Sequence, residues 1–214
     1  DKEEETIITT ERAILVGLFF SMPASLALFV LADDIFKALF MRGEFTIMEV
    51  LACSNALKIL VFAMPAYVLI KITLPHFHAR GDMKTPLYIS MAGMVVNVIL
   101  NYVLMQRYSY IGIAMATLVS AWFNYALFYL VLKKKTYIKF SNGFFANIIK
   151  FGVATFFMSY LCLKLSKFWS QEVALGGISA MMYLSIIILA ALLAYFSVCY
   201  FLIGKGELKK YLKF

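Results

Sequence analysis

The chain has 214 residues, of which 63% are Ala, Val, Ile, Leu, Met, Phe, Trp, Tyr or Cys and only 15% are charged, with a mean hydropathy of +0.85. An average soluble domain has about 45–50% apolar and about 25% charged residues, so this composition excludes a disordered chain and leaves too few polar groups to cover a water-facing globule. The net charge of +8 would suit nucleic acid if the basic residues formed an aromatic-interleaved stripe, but they are spread between apolar runs, so no nucleic acid is expected as a partner.

In chain order, Asp1 stands where a start Met is expected, and no short leader precedes the first apolar run. The chain therefore reads as a piece of a longer polypeptide. Residues 13–32 give 20 uncharged positions between Arg12 and Asp33-Asp34, the length that crosses the hydrocarbon core as a helix. The Asp pair reads as a solvated helix end. Residues 59–70 are only 12 clean positions between Lys58 and Lys71. A full second crossing must take in at least one of these lysines, which can snorkel. Pro23 and Pro65 fall inside the first two spans, where neighbouring helices can re-satisfy a freed carbonyl.

Residues 87–105 form a third span of 19, softened by Asn97 and Asn101, and residues 111–132 a fourth of 22, closed by Lys133-Lys134-Lys135. Residues 151–163 are 13 clean positions, and extension back to Phe144 makes 20. Residues 173–204 are uncharged for 32 positions. Gly176-Gly177 suits an entry turn there, leaving a last span over 178–203. The fold expected is all-α and polytopic, with six transmembrane helices.

Six crossings put both termini on one side. Lys37, Arg42, Lys58, Arg107, Lys164 and Lys167 then lie on the other side, and the remaining 14 of 20 basic residues share the terminal side. By the positive-inside rule, both termini and the 73–86 and 133–150 connections are cytoplasmic. Dropping either weak span would put the two richest basic loops on opposite sides. The lysine runs read as topology signals and contacts to anionic membrane lipids.

Little points to catalysis, and no enzyme activity is expected. Cys53, Cys162 and Cys199 are far apart in sequence and read as small apolar residues. His76 and His78 form an H-x-H pair without a third ligand in register, a poor zinc site, so neither metal nor cofactor is expected. Two short segments carry more information. One is Leu39-Phe40-Met41-Arg42-Gly43-Glu44-Phe45-Thr46. The other is Phe77-His78-Ala79-Arg80-Gly81-Asp82-Met83-Lys84-Thr85-Pro86. In the second, Gly81-Asp82 is a turn signal, Thr85 suits an N-cap and Pro86 the first helical position. Arg80 and Asp82 are expected to pair with each other or with nearby backbone.

These segments, in this order and topology, resemble the C-terminal half of the MurJ (MviN) family of lipid II flippases, in the MOP transporter superfamily. The family carries L-F-x-R-G-x-F after one helix and F-Y-A-R-x-D-x-x-T-P two helix ends later. The residues matching these motifs include Arg42, Gly43 and Phe45, then Phe77, Arg80, Asp82, Thr85 and Pro86; His78 replaces the usual Tyr. Asn97, Asn101, the run Gly112-Ile113-Ala114-Met115-Ala116-Thr117 and Trp122-Phe123-Asn124 are also similar. The resemblance implies a fourteen-helix transporter with two six-helix lobes and two further helices. This chain would supply helices nine to fourteen.

On that map residues 1–12 are a cytoplasmic linker tail, 13–132 four helices of the C-terminal lobe, and 133–150 a basic cytoplasmic connection. Residues 144–204 are the two terminal helices holding the lipid tail in a groove, and 205–214 a basic tail. The implied partners are lipid II (the undecaprenyl-pyrophosphate-linked peptidoglycan precursor), membrane lipids and the missing N-terminal half, in the bacterial inner membrane. The family's cavity cations come mainly from helices absent here. Lys58, Lys71, Asn97, Asn101 and Asn124 are left as cavity candidates, and the chain alone is expected to be inactive. The alternatives are another polysaccharide-lipid or drug exporter of the superfamily, or a truncated scaffold that transports nothing.

Overall fold

The computed structural model describes residues 2–41, 45–134, 140–141, 143–169 and 177–204. Among these residues the regular structure is helical, with no strand. The helices are α1 (Lys2–Phe40), α2 (Ile47–Leu60), α3 (Met64–His78), α4 (Lys84–Tyr108), α5 (Tyr110–Lys134), α6 (Phe144–Phe168) and α7 (Gly177–Ile203). Among the described residues six segments are long and apolar enough to cross a membrane, α2 and α3 together forming one of them, Ile47–His78. These are the six spans expected from sequence, and the chain is a multi-pass membrane protein.

Two expectations about span ends change. Asp33 and Asp34 do not end the first span, because α1 continues through them to Phe40. Pro65 does not kink a continuous helix. A 3-10 turn over Val61–Ala63 interrupts it, and Pro65 occupies the first turn of α3, where its missing N–H has no intrahelical acceptor to serve. Pro23, by contrast, is buried inside α1.

The chain packs as two units. Of the described residues, one contains those up to Ser21 and those of Phe62–Ile149; the other contains Met22–Val61 and residues 150–169 and 177–204. In the first unit α4 and α5 form an antiparallel hairpin joined by Ser109 alone. Its register sets Gly93 against Asn124 and Asn97 against Ser120, with Gly112 against Leu104 nearest the turn. Ser109 turns the chain with φ 52° and ψ −133°, a conformation that costs a side-chain-bearing residue about 1–3 kcal/mol. Ser109→Gly is therefore expected to stabilise the protein by about 1 kcal/mol. A thermal melt in detergent should rise by roughly 2–4 °C.

Ala66 of α3 and Ala63 of the preceding 3-10 turn pack on Ala121 of α5, and Phe77 meets Phe128 edge-on at 5.7 Å between ring centres. Phe77 and Phe128 belong to a buried cluster with Ile89 and Leu132. Gly17 brings α1 close to α3: a Cβ there would stand 2.5 Å from Ile72 Cδ1 and 2.9 Å from Val68 Cγ1.

In the second unit the later part of α1 meets three partners. Asp33 binds Lys58 of α2, Asp34 accepts a hydrogen bond from Ser166 of α6, and Ala38 packs on Ala180 and Leu184 of α7. Helix α6 buries Phe151, Ala154, Met158 and Cys162, spaced three or four residues apart. Helix α7 buries Ala180, Leu184, Ile187, Ala191, Tyr195 and Cys199 at the same spacing. Each stripe is one face of a helix, and the small residues in it let neighbouring backbones approach.

Candidate functional site

The segment from Phe77 to Pro86 is a closed, hydrogen-bonded connection between α3 and α4. Gly81 adopts a left-handed φ of 69°, its N–H donates to the His78 carbonyl at 3.0 Å, and the Asp82 N–H donates to the Phe77 carbonyl at 3.0 Å. This pair of bonds is the usual way a helix end satisfies its last carbonyls around a glycine. Arg80 donates from Nη1 to the His76 carbonyl at 3.2 Å, so it engages neighbouring backbone as expected.

The start of α4 differs from expectation. Met83, not Thr85, precedes the first helical residue, and Pro86 is the third residue of the helix. Asp82 does the capping from one residue further back. Its carboxylate accepts from the Thr85 N–H at 3.0 Å and from the Thr85 hydroxyl at 2.8 Å. Thr85 is therefore the capped residue rather than the cap, because the ionised Asp82 carboxylate takes both its N–H and its hydroxyl as donors. Asp82→Ala is expected to cost about 1 kcal/mol, with most of it kept by Asp82→Asn. Amide exchange at Thr85 is the direct readout.

Among the first motif's residues, Arg42 and Gly43 lie outside the described residues. Phe45 is half-buried, with its ring 6.0 Å from that of Phe40. After it, Glu49 reaches back to accept from the Thr46 N–H at 2.6 Å, which fixes the start of α2.

The two lysines flanking the short second run behave differently. Lys58 donates to both carboxylate oxygens of Asp33, at 2.9 and 2.7 Å, with both side chains partly buried. Lys71 is exposed on α3. His76 shares a 2.9 Å hydrogen bond with the buried Thr10 of α1, while His78 is exposed.

The three asparagines come together on the α4–α5 seam. The Asn97 amide donates to Ser120 Oγ at 2.9 Å, and the Asn101 amide donates to Asn97 Oδ1 at 3.0 Å. Asn124 lies against Gly93, where a Cβ would stand 3.0 Å from its Cγ. The side-chain oxygens of Asn101 and Asn124 are buried and accept no hydrogen bond from the described residues. The row joins the two helices and keeps acceptor capacity in reserve. Asn97→Val is expected to cost about 0.6–1.7 kcal/mol, the range for such bonds between membrane helices, read as a lower detergent melting temperature.

Sequence reasoning missed three partners: Asp33 for Lys58, Ser120 for Asn97 and Thr10 for His76. Only Ser120 left a signal, since an antiparallel hairpin with a one-residue turn sets it opposite Asn97.

A sequence profile described as lipid II flippase MurJ matches residues 1–184. Proteins described as probable lipid II flippase MurJ are similar over shorter or longer stretches. That of Vibrio cholerae is 39% identical over 121 residues, 56% of this chain and 23% of its own length. That of Rickettsia prowazekii is 37% identical over 117 residues, 55% of this chain and 23% of its own length. That of Rhizobium tropici is 32% identical over 197 residues, 90% of this chain and 36% of its own length. The chain thus spans about a quarter to a third of the length of these curated relatives. With the profile covering most of its residues, the chain belongs to the lipid II flippase MurJ family.

Proposed function

We propose that this chain is the C-terminal part of a lipid II flippase, carrying the undecaprenyl-pyrophosphate-linked peptidoglycan precursor across the bacterial inner membrane by alternating access. The family match over residues 1–184 is the observation that carries this reading. The physics suits it. A pyrophosphate head cannot cross hydrocarbon unaided, so a transporter must offer it a hydrated polar path while the tail stays in lipid. No covalent bond changes, and the reaction is transport rather than catalysis. The role served is cell wall biogenesis and cell shape.

In this reading residues 13–132 form four helices of the C-terminal lobe, and residues 144–204 form the groove for the lipid tail. Both termini are cytoplasmic. Lys71, Asn97, Asn101 and Asn124 supply polar groups to the cavity, and Lys58 joins them when it leaves Asp33. Phe77, Arg80, Asp82, Thr85 and Pro86 of the second motif hold the turn between α3 and α4, while Arg42, Gly43 and Phe45 mark the first motif at the opposite membrane face. The cavity's main cations lie in the missing N-terminal half, so this chain works only with that half.

Complementation tests the proposal. In a flippase-depleted bacterium, the chain alone should fail to restore growth, and the chain together with the N-terminal helices of a relative should restore it. Rescue by the chain alone would overturn the need for a partner half. Failure of a stably assembled pair would favour a non-transporting scaffold. Cysteine labelling near Lys84 and Lys133 reads the orientation, and labelling from outside the cell would reverse it.

A further inference from the structure

The first unit contains a crevice of about 260 Å³ that reaches the start of α6. Its lining includes Ile14 and Leu18 of α1, Leu69 of α3, Tyr125 and Tyr129 of α5, and Phe144 at the start of α6, with no charged side chain. One wall is a continuous row of rings. Trp122 meets Tyr125 at 6.1 Å, Tyr125 meets Tyr129 at 6.4 Å, Tyr129 stacks on Phe140 at 6.3 Å and Phe140 stacks on Phe144 at 4.1 Å. The row is anchored at both ends. Trp122 donates from Nε1 to the Phe62 carbonyl at 2.9 Å. Beside Phe140, Ser141 donates from its N–H and hydroxyl to the Glu11 carboxylate at 3.0 and 2.5 Å. The wall is thus held open in advance rather than assembled around a guest, which lowers the ordering cost of binding.

The crevice is slightly smaller than the roughly 300 Å³ at which small-molecule sites begin. A bulky polar head is thereby excluded and one slender alkyl chain admitted. Charge at its end identifies the head. Tyr125, Tyr129 and Lys133 follow one another at four-residue intervals and so share a face of α5, with Lys133 and Lys134 exposed one turn beyond the last crevice tyrosine. Arg12 is exposed near the same end of α1, and the carboxylate of its neighbour Glu11 is already engaged by Ser141.

We propose that this crevice is a resident lipid site, taking one acyl chain of an anionic membrane phospholipid whose phosphate head rests on Lys133 and Lys134. The site lies within the first unit and needs no transport in order to be read.

The test uses the chain in vesicles of phosphatidylethanolamine and phosphatidylglycerol, each lipid supplied in turn with a diazirine on one acyl chain. Photolabelling by the phosphatidylglycerol probe should concentrate on Tyr125, Tyr129 and Phe144, above Tyr88 and Met94, which are 66% and 69% exposed on α4. Leu18→Trp or Leu69→Trp should fill the crevice and remove labelling there while sparing Tyr88 and Met94. Lys133→Gln with Lys134→Gln leaves the buried packing untouched. It should lower phosphatidylglycerol labelling about fivefold for each charge at low salt, with the phosphatidylethanolamine signal unchanged. Labelling that is uniform over the helices, or that neither filled variant changes, overturns the site. Equal labelling by the two lipids, insensitive to both lysines, overturns the anionic head.

Discussion

Gly112→Ala is expected to be the most damaging single methyl addition in the first unit. A Cβ at Gly112 would stand 2.3 Å from the Leu104 carbonyl oxygen, 2.4 Å from its carbon and 2.8 Å from the Met105 nitrogen. All three are backbone atoms, so no side chain can rotate aside. The hairpin must instead spread just beyond its one-residue turn, which also pulls on the Asn97–Ser120 bond further along. Overpacking of this kind costs about 3 kcal/mol, equivalent to a drop of roughly 6–12 °C in a melt for a chain of this size. Gly152→Ala is the control. Nothing lies within 4 Å of a Cβ at Gly152, and replacing Gly by Ala inside a helix gains about 1 kcal/mol. Equal melting temperatures for the two variants would contradict the close contact at Gly112.

Lys58→Ala is the second large effect. It leaves Asp33 without its salt-bridge partner in an apolar crossing, where charge is expensive, with the Ser54 hydroxyl and the charge of Lys37 as its remaining support. A fully buried pair loses about 3–5 kcal/mol when one partner is removed. Here the two side chains keep 26% and 37% exposure, so about 2 kcal/mol is expected after allowing for screening. Asp33→Asn with Lys58→Met removes both charges and should recover most of the lost stability, which a double-mutant cycle in detergent measures. Transport by the full-length protein carrying the neutral pair then separates fold from function. Lost transport is the result expected of a cavity cation, and full transport would remove Lys58 from the cavity residues.

The six crossings were legible because a bilayer requires about 20 apolar residues per helix and the chain supplies them in separate runs. The second crossing was hardest to read, since Lys58 interrupts it. Its tolerance for that charge comes from Asp33, 25 residues earlier and on another helix, and no local pattern announces such a partner. The same feature misled the reading of Asp33-Asp34. Two adjacent carboxylates after an apolar run look like a wet helix end, but consecutive helical residues point in different directions, so one engages α2 and the other α6. Asn97 and Asn101 were recognisable as a helical pair from their four-residue spacing. Asn124 joins them only through the hairpin register, fixed by Ser109 and the small residues Gly93 and Gly112. The aromatic crevice was not legible at all. Its rings come from α5 and from the segment entering α6, and their neighbours on α1 and α3 are set by packing rather than by sequence distance.

The single-residue link at Ser109 has a consequence for biogenesis. Between α4 and α5 there is no hydrophilic stretch to be threaded through a translocation channel as a separate event. Arg107 is the one basic residue near the tip of the hairpin, while its open ends carry Lys84 and Lys133-Lys134. Both helices must therefore enter the bilayer together as one wedge, in a single topological decision taken when the second lysine group leaves the ribosome.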